Sequence, residues 1–224
     1  GNWAWGNNEV QWYSNNNAKN TYVSNGTLKI KAIKETGPDG NATHTSGRIV
    51  TRNLHEFKYG LIEMKAKIPV DNGVWPAFWM LRNDIYEGGS WPNGGEIDIM
   101  ETSPSVWPSQ DGVNERVYGT LHCDGGSGGS PIFTRQSYLK NIDTEWHTYA
   151  VDWTEEYIAW LYDGKEVFRY TPTSTTNNAV WPFDEDFYII INLAVGGNLG
   201  GAVGSWTESV MEIDYVRVYE TSAN

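Results

Sequence analysis

Three carboxylates alternate with apolar side chains in the run Glu96-Ile97-Asp98-Ile99-Met100-Glu101. Burying a carboxylate is costly unless the group is paired or put to use. Such a strand therefore suits a position between a cleft, which the acids would face, and a core, which the aliphatics would fill. Strand side chains alternate, so Glu96 and Asp98 share a face while Glu101 points to the other. A β-bulge around Ile99 and Met100 would let two residues oppose one on the partner strand and return Glu101 to the face of the other acids. Paired carboxylates on a groove are what glycosidic bond cleavage needs, one to protonate the leaving oxygen and one to attack or to activate water. On this reading Glu96 is the nucleophile, Glu101 the acid/base, and Asp98 hydrogen-bonds and orients the nucleophile. Repulsion among three acids raises at least one pKa and keeps the general acid protonated near neutral pH. Both glutamates would sit on one strand, roughly 10–13 Å apart at Cα. Their side chains must lean together on a concave sheet to reach the about 5–5.5 Å of retaining enzymes, and retention is the expected outcome.

The elements that would position these acids are strands. Trp91-Pro92-Asn93-Gly94-Gly95 is a turn signal opening the acidic strand. Upstream lies the aromatic-rich Gly73-Val74-Trp75-Pro76-Ala77-Phe78-Trp79-Met80, and downstream Tyr118-Gly119-Thr120-Leu121-His122 reads as the next strand. Asn25-Gly26 and Asp163-Gly164 are two-residue type I′ hairpin turns between β-patterned runs. Leu61–Ile68 places Glu63, Lys65 and Lys67 on one face, as a half-buried strand would. Phe187–Leu193 and Val210–Tyr219 add further strands, and helical periodicity is weak throughout. The prediction is all-β, one domain over residues 1–224, with no Pro/Ser-rich linker, low-complexity tract or repeat.

With these pieces in place the chain resembles the family 16 glycoside hydrolases, in particular their laminarinase-like branch. The matching segments, in family order, are Trp5-Gly6-Asn7-Asn8-Glu9, Ser46-Gly47-Arg48-Ile49, Phe57-Lys58-Tyr59-Gly60, Trp75 through Met80, Gly95 through Glu101, Gly119 through His122, Asn192-Leu193-Ala194-Val195-Gly196-Gly197 and Ile213 through Tyr219. The resemblance implies a β-jelly-roll sandwich of two curved antiparallel sheets, a sugar groove on the concave face, and retaining hydrolysis of internal β-glucan bonds. It gives Glu96 and Glu101 the roles the chemistry suggested. It also implies that Asn8, Glu9 and Arg48 hold sugars on the non-reducing side of the cleaved bond and that Asn192 is a groove contact. The structural alternatives are that Asn8 caps a turn and Arg48 pairs with a surface acid. A structural calcium of this family would fall on Gly26 and Asp214, although the chain starts where the family usually has an additional N-terminal strand that supplies another ligand. The extra residue in the catalytic strand resembles the β-1,3- and β-1,3(4)-glucanases, whereas strict mixed-linkage lichenases lack it. Laminarin-like β-1,3-glucan is therefore the expected substrate. Mixed-linkage hydrolysis and transglycosylation are the alternatives within the fold, and a glycan-binding module without catalysis is the alternative outside enzymology.

Aromatic residues are the second signal. Twelve tryptophans stand in 224 residues, and sugar rings stack their C–H faces on indoles. Trp75 and Trp91, beside Pro and Gly at strand edges, are candidate groove walls, and Trp79 could face either way. Trp146, Trp153 and Trp160 fit a core, and Trp107 lies in the Pro/Ser-rich stretch 103–114 as a loop residue. His122 is expected to border Asp98 across the ladder and tune the acids, the alternative being a satisfied core histidine. His44, His55 and His147 lack ligand-like spacing for a catalytic zinc, and no cofactor is expected for catalysis.

A net charge of −12 opposes binding to nucleic acid, anionic membrane or sulfated polysaccharide and fits a neutral glucan. No apolar run is long enough to span a bilayer. The start Gly1-Asn2-Trp3 is not a signal peptide, and the expectation is a secreted, monomeric protein whose leader has been removed. The single cysteine, Cys123, cannot form an internal disulfide; beside His122 it faces the opposite way and reads as a packed thiol. Asn25-Gly26-Thr27 and Asn41-Ala42-Thr43 match the glycosylation pattern and say nothing about the host.

Overall fold

The computed structural model describes residues 5–220 except 87, 88, 110, 112 and 113. Gly1-Asn2-Trp3 and parts of the 82–93 and 103–114 loops lie outside the described residues. In chain order the strands are β1 (Gln11–Tyr13), β2 (Thr21–Ser24), β3 (Thr27–Ile33), β4 (His44–Ser46), β5 (Arg48–Val50), β6 (Gly60–Lys67), β7 (Val74–Arg82), β8 (Glu96–Glu101), β9 (Asn114–His122), β10 (Phe133–Lys140), β11 (His147–Trp153), β12 (Ile158–Tyr162), β13 (Lys165–Tyr170), β14 (Phe187–Val195) and β15 (Glu208–Tyr219). Only a 3₁₀ turn at Asn83–Tyr86 and the short helix α1 (Gly197–Gly200) interrupt them among the described residues. The all-β jelly-roll expectation holds.

Two sheets form. One has six strands in the order β10-β9-β8-β7-β14-β5; the other has nine, running β1-β4-β3-β15-β6-β11-β12-β13 with β2 paired on β3. The period-2 pattern decides what lies between them. On β14, Phe187, Ile189, Ile191, Leu193 and Val195 enter the core while Tyr188, Ile190, Asn192 and Ala194 face out. Ile62, Met64 and Ala66 of β6 and Ile158, Trp160 and Tyr162 of β12 meet them from the other sheet. Trp153 and Trp160 are fully buried, as expected, whereas Trp146 is partly exposed with Lys65 and Lys67 over its ring. Both expected hairpin turns occur, with positive φ at Asn25, Gly26, Asp163 and Gly164.

The acidic strand β8 is the third of the six, flanked by β7 and β9. Its ladder to β9 pairs Asp98 with Thr120 and then Glu101 with Tyr118, so Ile99 and Met100 together oppose Gly119. On the β7 side Met100 pairs with Phe78 and Asp98 with Trp79, which leaves Ile99 as the extra residue. This is the expected bulge. Ile97, Ile99 and Met100 are all fully buried in the core.

Candidate active site

The bulge brings Glu96, Asp98 and Glu101 to the floor of one groove of about 1020 Å³ on the outer face of the six-stranded sheet. All six strands contribute to that face, from Arg48 on β5 to Thr134 on β10. With strands about 4.8 Å apart the groove crosses roughly 24 Å of sheet.

Each glutamate receives one indole N–H. Trp75 Nε1 donates to Glu101 Oε1 at 2.8 Å, and Trp91 Nε1 donates to Glu96 Oε2 at 2.8 Å. The two tryptophans expected as groove walls thus also hold the carboxylates. His122 Nε2 lies 3.3 Å from Asp98 Oδ2 and 3.9 Å from Glu96 Oε1. Its ladder partner is Glu96 rather than the expected Asp98, whose partner is Thr120. The imidazole nevertheless reaches Asp98 because residues 96, 98 and 122 share a face.

Burial drives the protonation of the trio. It pushes Glu96 and Asp98 well above their ordinary values, and the Asp98 charge raises Glu96 further while His122 opposes the rise. Burial also raises Glu101, against the Trp75 hydrogen bond and His122, which draw it down. Protons are therefore retained toward neutral pH. Asp98, only 2 % exposed, stands beside Glu96 on the same face of β8. A proton on Glu96 draws Asp98 down against its burial, and the Trp91 N–H supports Glu96 when it ionises.

On the β7–β14–β5 side the Arg48 guanidinium lies between two indoles, 5.0 Å from the Trp5 ring centroid and 4.8 Å from that of Trp79. Trp79 Nε1 donates to Asn192 Oδ1 at 2.7 Å, and Asn192 Nδ2 donates to the Tyr13 hydroxyl at 3.1 Å. Trp79, which alternation left undecided, faces the groove. Asn192 lines the groove but is 5 % exposed, and its amide is committed to Trp79 and Tyr13. These two bonds also let it position Trp79 and Tyr13. Burial pushes the Tyr13 hydroxyl up, which keeps it a neutral partner. Glu9 lines the groove and is also buried, its Oε2 accepting from the Asn7 backbone N–H at 2.9 Å.

Asn8 is a correction. Its φ of 62° turns the side chain to Asn198, Nδ2 donating to Oδ1 at 3.0 Å, and it is absent from the groove wall where Asn7 and Asn198 stand instead. Trp107 is a loop residue, as expected, and it also lines the groove, its ring tilted 33° against that of Tyr118 with centroids 3.8 Å apart. Tyr13, Tyr118 and Thr134 were missed as well. For Tyr118 the signal was present, since Tyr118, Thr120 and His122 alternate onto one face; Tyr13 gave none, because only the register of distant strands brings it here.

Gly26 and Asp214 lie on the nine-stranded sheet, away from the groove. Lys65 Nζ stands 2.9 Å from Asp214 Oδ2, so an ammonium already takes the one carboxylate of the expected calcium site. Calcium wants six to eight oxygens, and these residues as they stand do not make that cage. Among the described residues the only three His/Cys/Asp/Glu side chains with ligand atoms mutually within 4.8 Å are Glu96, Asp98 and His122.

A jelly-roll sandwich with three acids on a bulged strand at the floor of an aromatic groove defines a class, the glycoside hydrolases that work through paired carboxylates. The comparison with known proteins narrows it: the chain belongs to the glycosyl hydrolases family 16, whose model matches residues 4–217. It is 40% identical over 238 residues to the glucan endo-1,3-beta-glucosidase A1 of Niallia circulans, a match covering 97% of this chain and 33% of that protein. The chain thus spans about a third of the length of that relative. Among solved structures, the laminarinase of Flavobacterium sp. UMI-01 is 39% identical with a TM-score of 0.84, covering 96% of this chain and 87% of that one. A Glu-to-Ser mutant of SCLam, a non-specific endo-beta-1,3(4)-glucanase, superposes with a TM-score of 0.86 at 34% identity, covering 97% of this chain and 83% of that one; it was co-crystallised with 1,3-beta-D-cellotriosyl-glucose and presents 1,3-beta-D-cellobiosyl-glucose at its active site.

Proposed function

We propose that this chain is an endo-acting, retaining hydrolase of internal β-1,3 bonds in a neutral β-glucan such as laminarin, with mixed β-1,3/1,4 chains as a second substrate. The observation that carries this reading is the bulge at Ile99, which sets Glu96 and Glu101 on one face of one strand, each oriented by an indole N–H. A groove lined across all six strands suits a chain bound along its length, hence cleavage at internal bonds. Glu101 protonates the glycosidic oxygen while the Glu96 carboxylate attacks the anomeric carbon, and the bond to the leaving chain breaks. Asp98, beside Glu96 on the same face of β8, orients the nucleophile as charge leaves the carboxylate. Glu101, now ionised, takes a proton from water, which attacks the glycosyl-enzyme and frees Glu96. Arg48, Trp5 and Trp79 form the wall for the sugars retained through both steps.

The net charge of −12 supports a neutral polymer over a sulfated one. A polymeric substrate, met outside the cell, supports a secreted enzyme. The catalytic steps above call on carboxylates alone; a calcium ion at Gly26 and Asp214 would have to displace Lys65 and would act on stability, read as a Tm rise on adding calcium that EGTA reverses.

The test is product analysis on laminarin, lichenan and β-1,4-glucan with wild type and Glu96→Gln. Short oligosaccharides released from laminarin, and lost by roughly 10⁴-fold or more in the variant, are expected, and the lichenan rate sets the breadth. Products only in the presence of a sugar acceptor would make the chain a transglycosylase. Binding of all three polymers without release would sink the hydrolase reading.

A further inference from the structure

The bulge that aligns the acids is held from the other side of the molecule. Trp160 Nε1 on β12 donates to the Asp98 carbonyl at 2.9 Å, and the Tyr162 hydroxyl on the same strand donates to the Ile99 carbonyl at 3.1 Å. Both side chains are buried in the core between the sheets. We propose that Trp160 and Tyr162 are positioning residues for catalysis, clamping the bulge so that Glu101 stays on the face of Glu96. The inference rests on Glu101 being the acid/base.

A bulge interrupts the ladder and leaves backbone groups that neighbouring strands do not match. A buried carbonyl without a partner is disfavoured, and these two carbonyls belong to the extra residue and the one before it. The donors therefore reward the bulged arrangement specifically. If the strand relaxed to smooth alternation, Glu101 would turn to the core face and Met100 to the groove.

Gly119 completes the device. It is the single residue opposite Ile99 and Met100, and a Cβ there would overlap the Trp160 indole nitrogen and the Phe168 ring. The missing side chain is what lets the indole rise to β8. Phe133 stacks on Trp160 with ring centroids 5.2 Å apart and planes 22° from parallel, which fixes the plane of the indole.

The test compares Tyr162→Phe, Trp160→Phe and Gly119→Ala with wild type and Glu101→Ala, on laminarin and on an aryl β-glycoside of a laminarin oligosaccharide whose leaving group needs no acid. Tyr149→Phe is the control, because its hydroxyl is buried in the same core without a partner and its ring lies 5.7 Å from that of Tyr162. For Tyr162→Phe we expect kcat on laminarin to fall on the order of ten- to a hundredfold. KM should stay within about twofold and formation of the glycosyl-enzyme from the aryl substrate should be largely spared, a muted copy of Glu101→Ala. Tyr149→Phe should leave the ratio of the two rates unchanged. Equal losses on both substrates, no loss, or a loss that vanishes once each variant is assayed well below its own Tm would overturn the proposal. Tyr162→Phe removes one oxygen and keeps the test open should Trp160→Phe fail to fold. Absence of leaving-group dependence in Glu101→Ala itself would overturn the acid/base assignment, and this inference with it.

Discussion

The groove has two unlike halves, divided by the catalytic strand. Toward β7, β14 and β5 the polar groups are wired to one another: Arg48 sits between Trp5 and Trp79, Trp79 is bonded to Asn192, and Asn192 to Tyr13. Toward β9 and β10 the contacts run along the surface, from the Tyr118 hydroxyl to Gln136 at 2.8 Å and from Gln136 to the Tyr138 hydroxyl at 3.1 Å, with Thr120 and Thr134 hydroxyls 3.2 Å apart. The second set is exposed at Thr134, Gln136 and Tyr138. A preorganised wall loses little entropy when a ligand arrives, so the first half suits the sugar that stays bound through both chemical steps. Rotatable surface groups suit the half from which one chain departs and into which water enters.

After Glu96, Glu101 on the same dividing strand should matter most. Glu101→Ala is expected to lower the rate on laminarin by about 10²–10⁴-fold and on an activated aryl glycoside far less, measured as kcat/KM on each. Next comes the wired half. Arg48→Ala removes a cation between two rings and should cost about tenfold or more in kcat/KM, the loss of roughly 1.5–3 kcal/mol typical of charged hydrogen-bonding groups. The effect should spread to Trp79, whose quenched or shifted fluorescence on oligosaccharide binding would weaken in the variant.

A smaller effect concerns stability. The folded-state pKa of Asp98 lies well above its unfolded value because of burial and the Glu101 charge. A raised carboxyl contributes stability fully below the unfolded pKa, about 3.9, and loses it as pH rises through the folded one. Wild type is thus penalised at neutral and alkaline pH. Asp98→Asn should melt higher there by about 2–4 °C while losing activity, and the gain should shrink as pH falls toward about 4. A gain that is constant with pH would detach it from this carboxylate. Least affected should be Gln136→Ala, with kcat/KM within about threefold of wild type, as surface substitutions usually allow. A loss equal to that of Arg48→Ala would erase the contrast between the halves.

How much of this was legible follows from what each residue depends on. The acids and their bulge could be read because the period of two broke between them, a fact local to six residues. The hairpins at Asn25-Gly26 and Asp163-Gly164 were legible for the same reason. Trp75 and Trp91 could be placed on the groove, yet their bonds to Glu101 and Glu96 depend on rotamers that no pattern encodes. Asn192 was read as a groove contact and lines the groove, but its bonds to Trp79 and Tyr13 were not legible, because these partners lie 113 and 179 residues away in sequence. Asn8 failed because a left-handed backbone at one position redirected the side chain. The clamp on the bulge was least legible: Trp160 looked like any core tryptophan, and only the packing of one sheet on the other shows where its N–H goes.

The count of two residues against Gly119 also sets which genetic changes the site could survive. Acids fall on one face of a smooth strand when spaced evenly, as they would be if Ile99 or Met100 were deleted, and on a bulged strand when one spacing is odd. β8 ends at Glu101, so the following loop could take up the missing residue. An in-frame loss of a single codon, ordinarily ruinous inside a buried strand, would here leave the three carboxylates facing the groove and merely draw Glu101 closer to Glu96. A one-codon insertion at the same place would also make the spacing even, but it would carry Glu101 one full strand repeat further from Glu96.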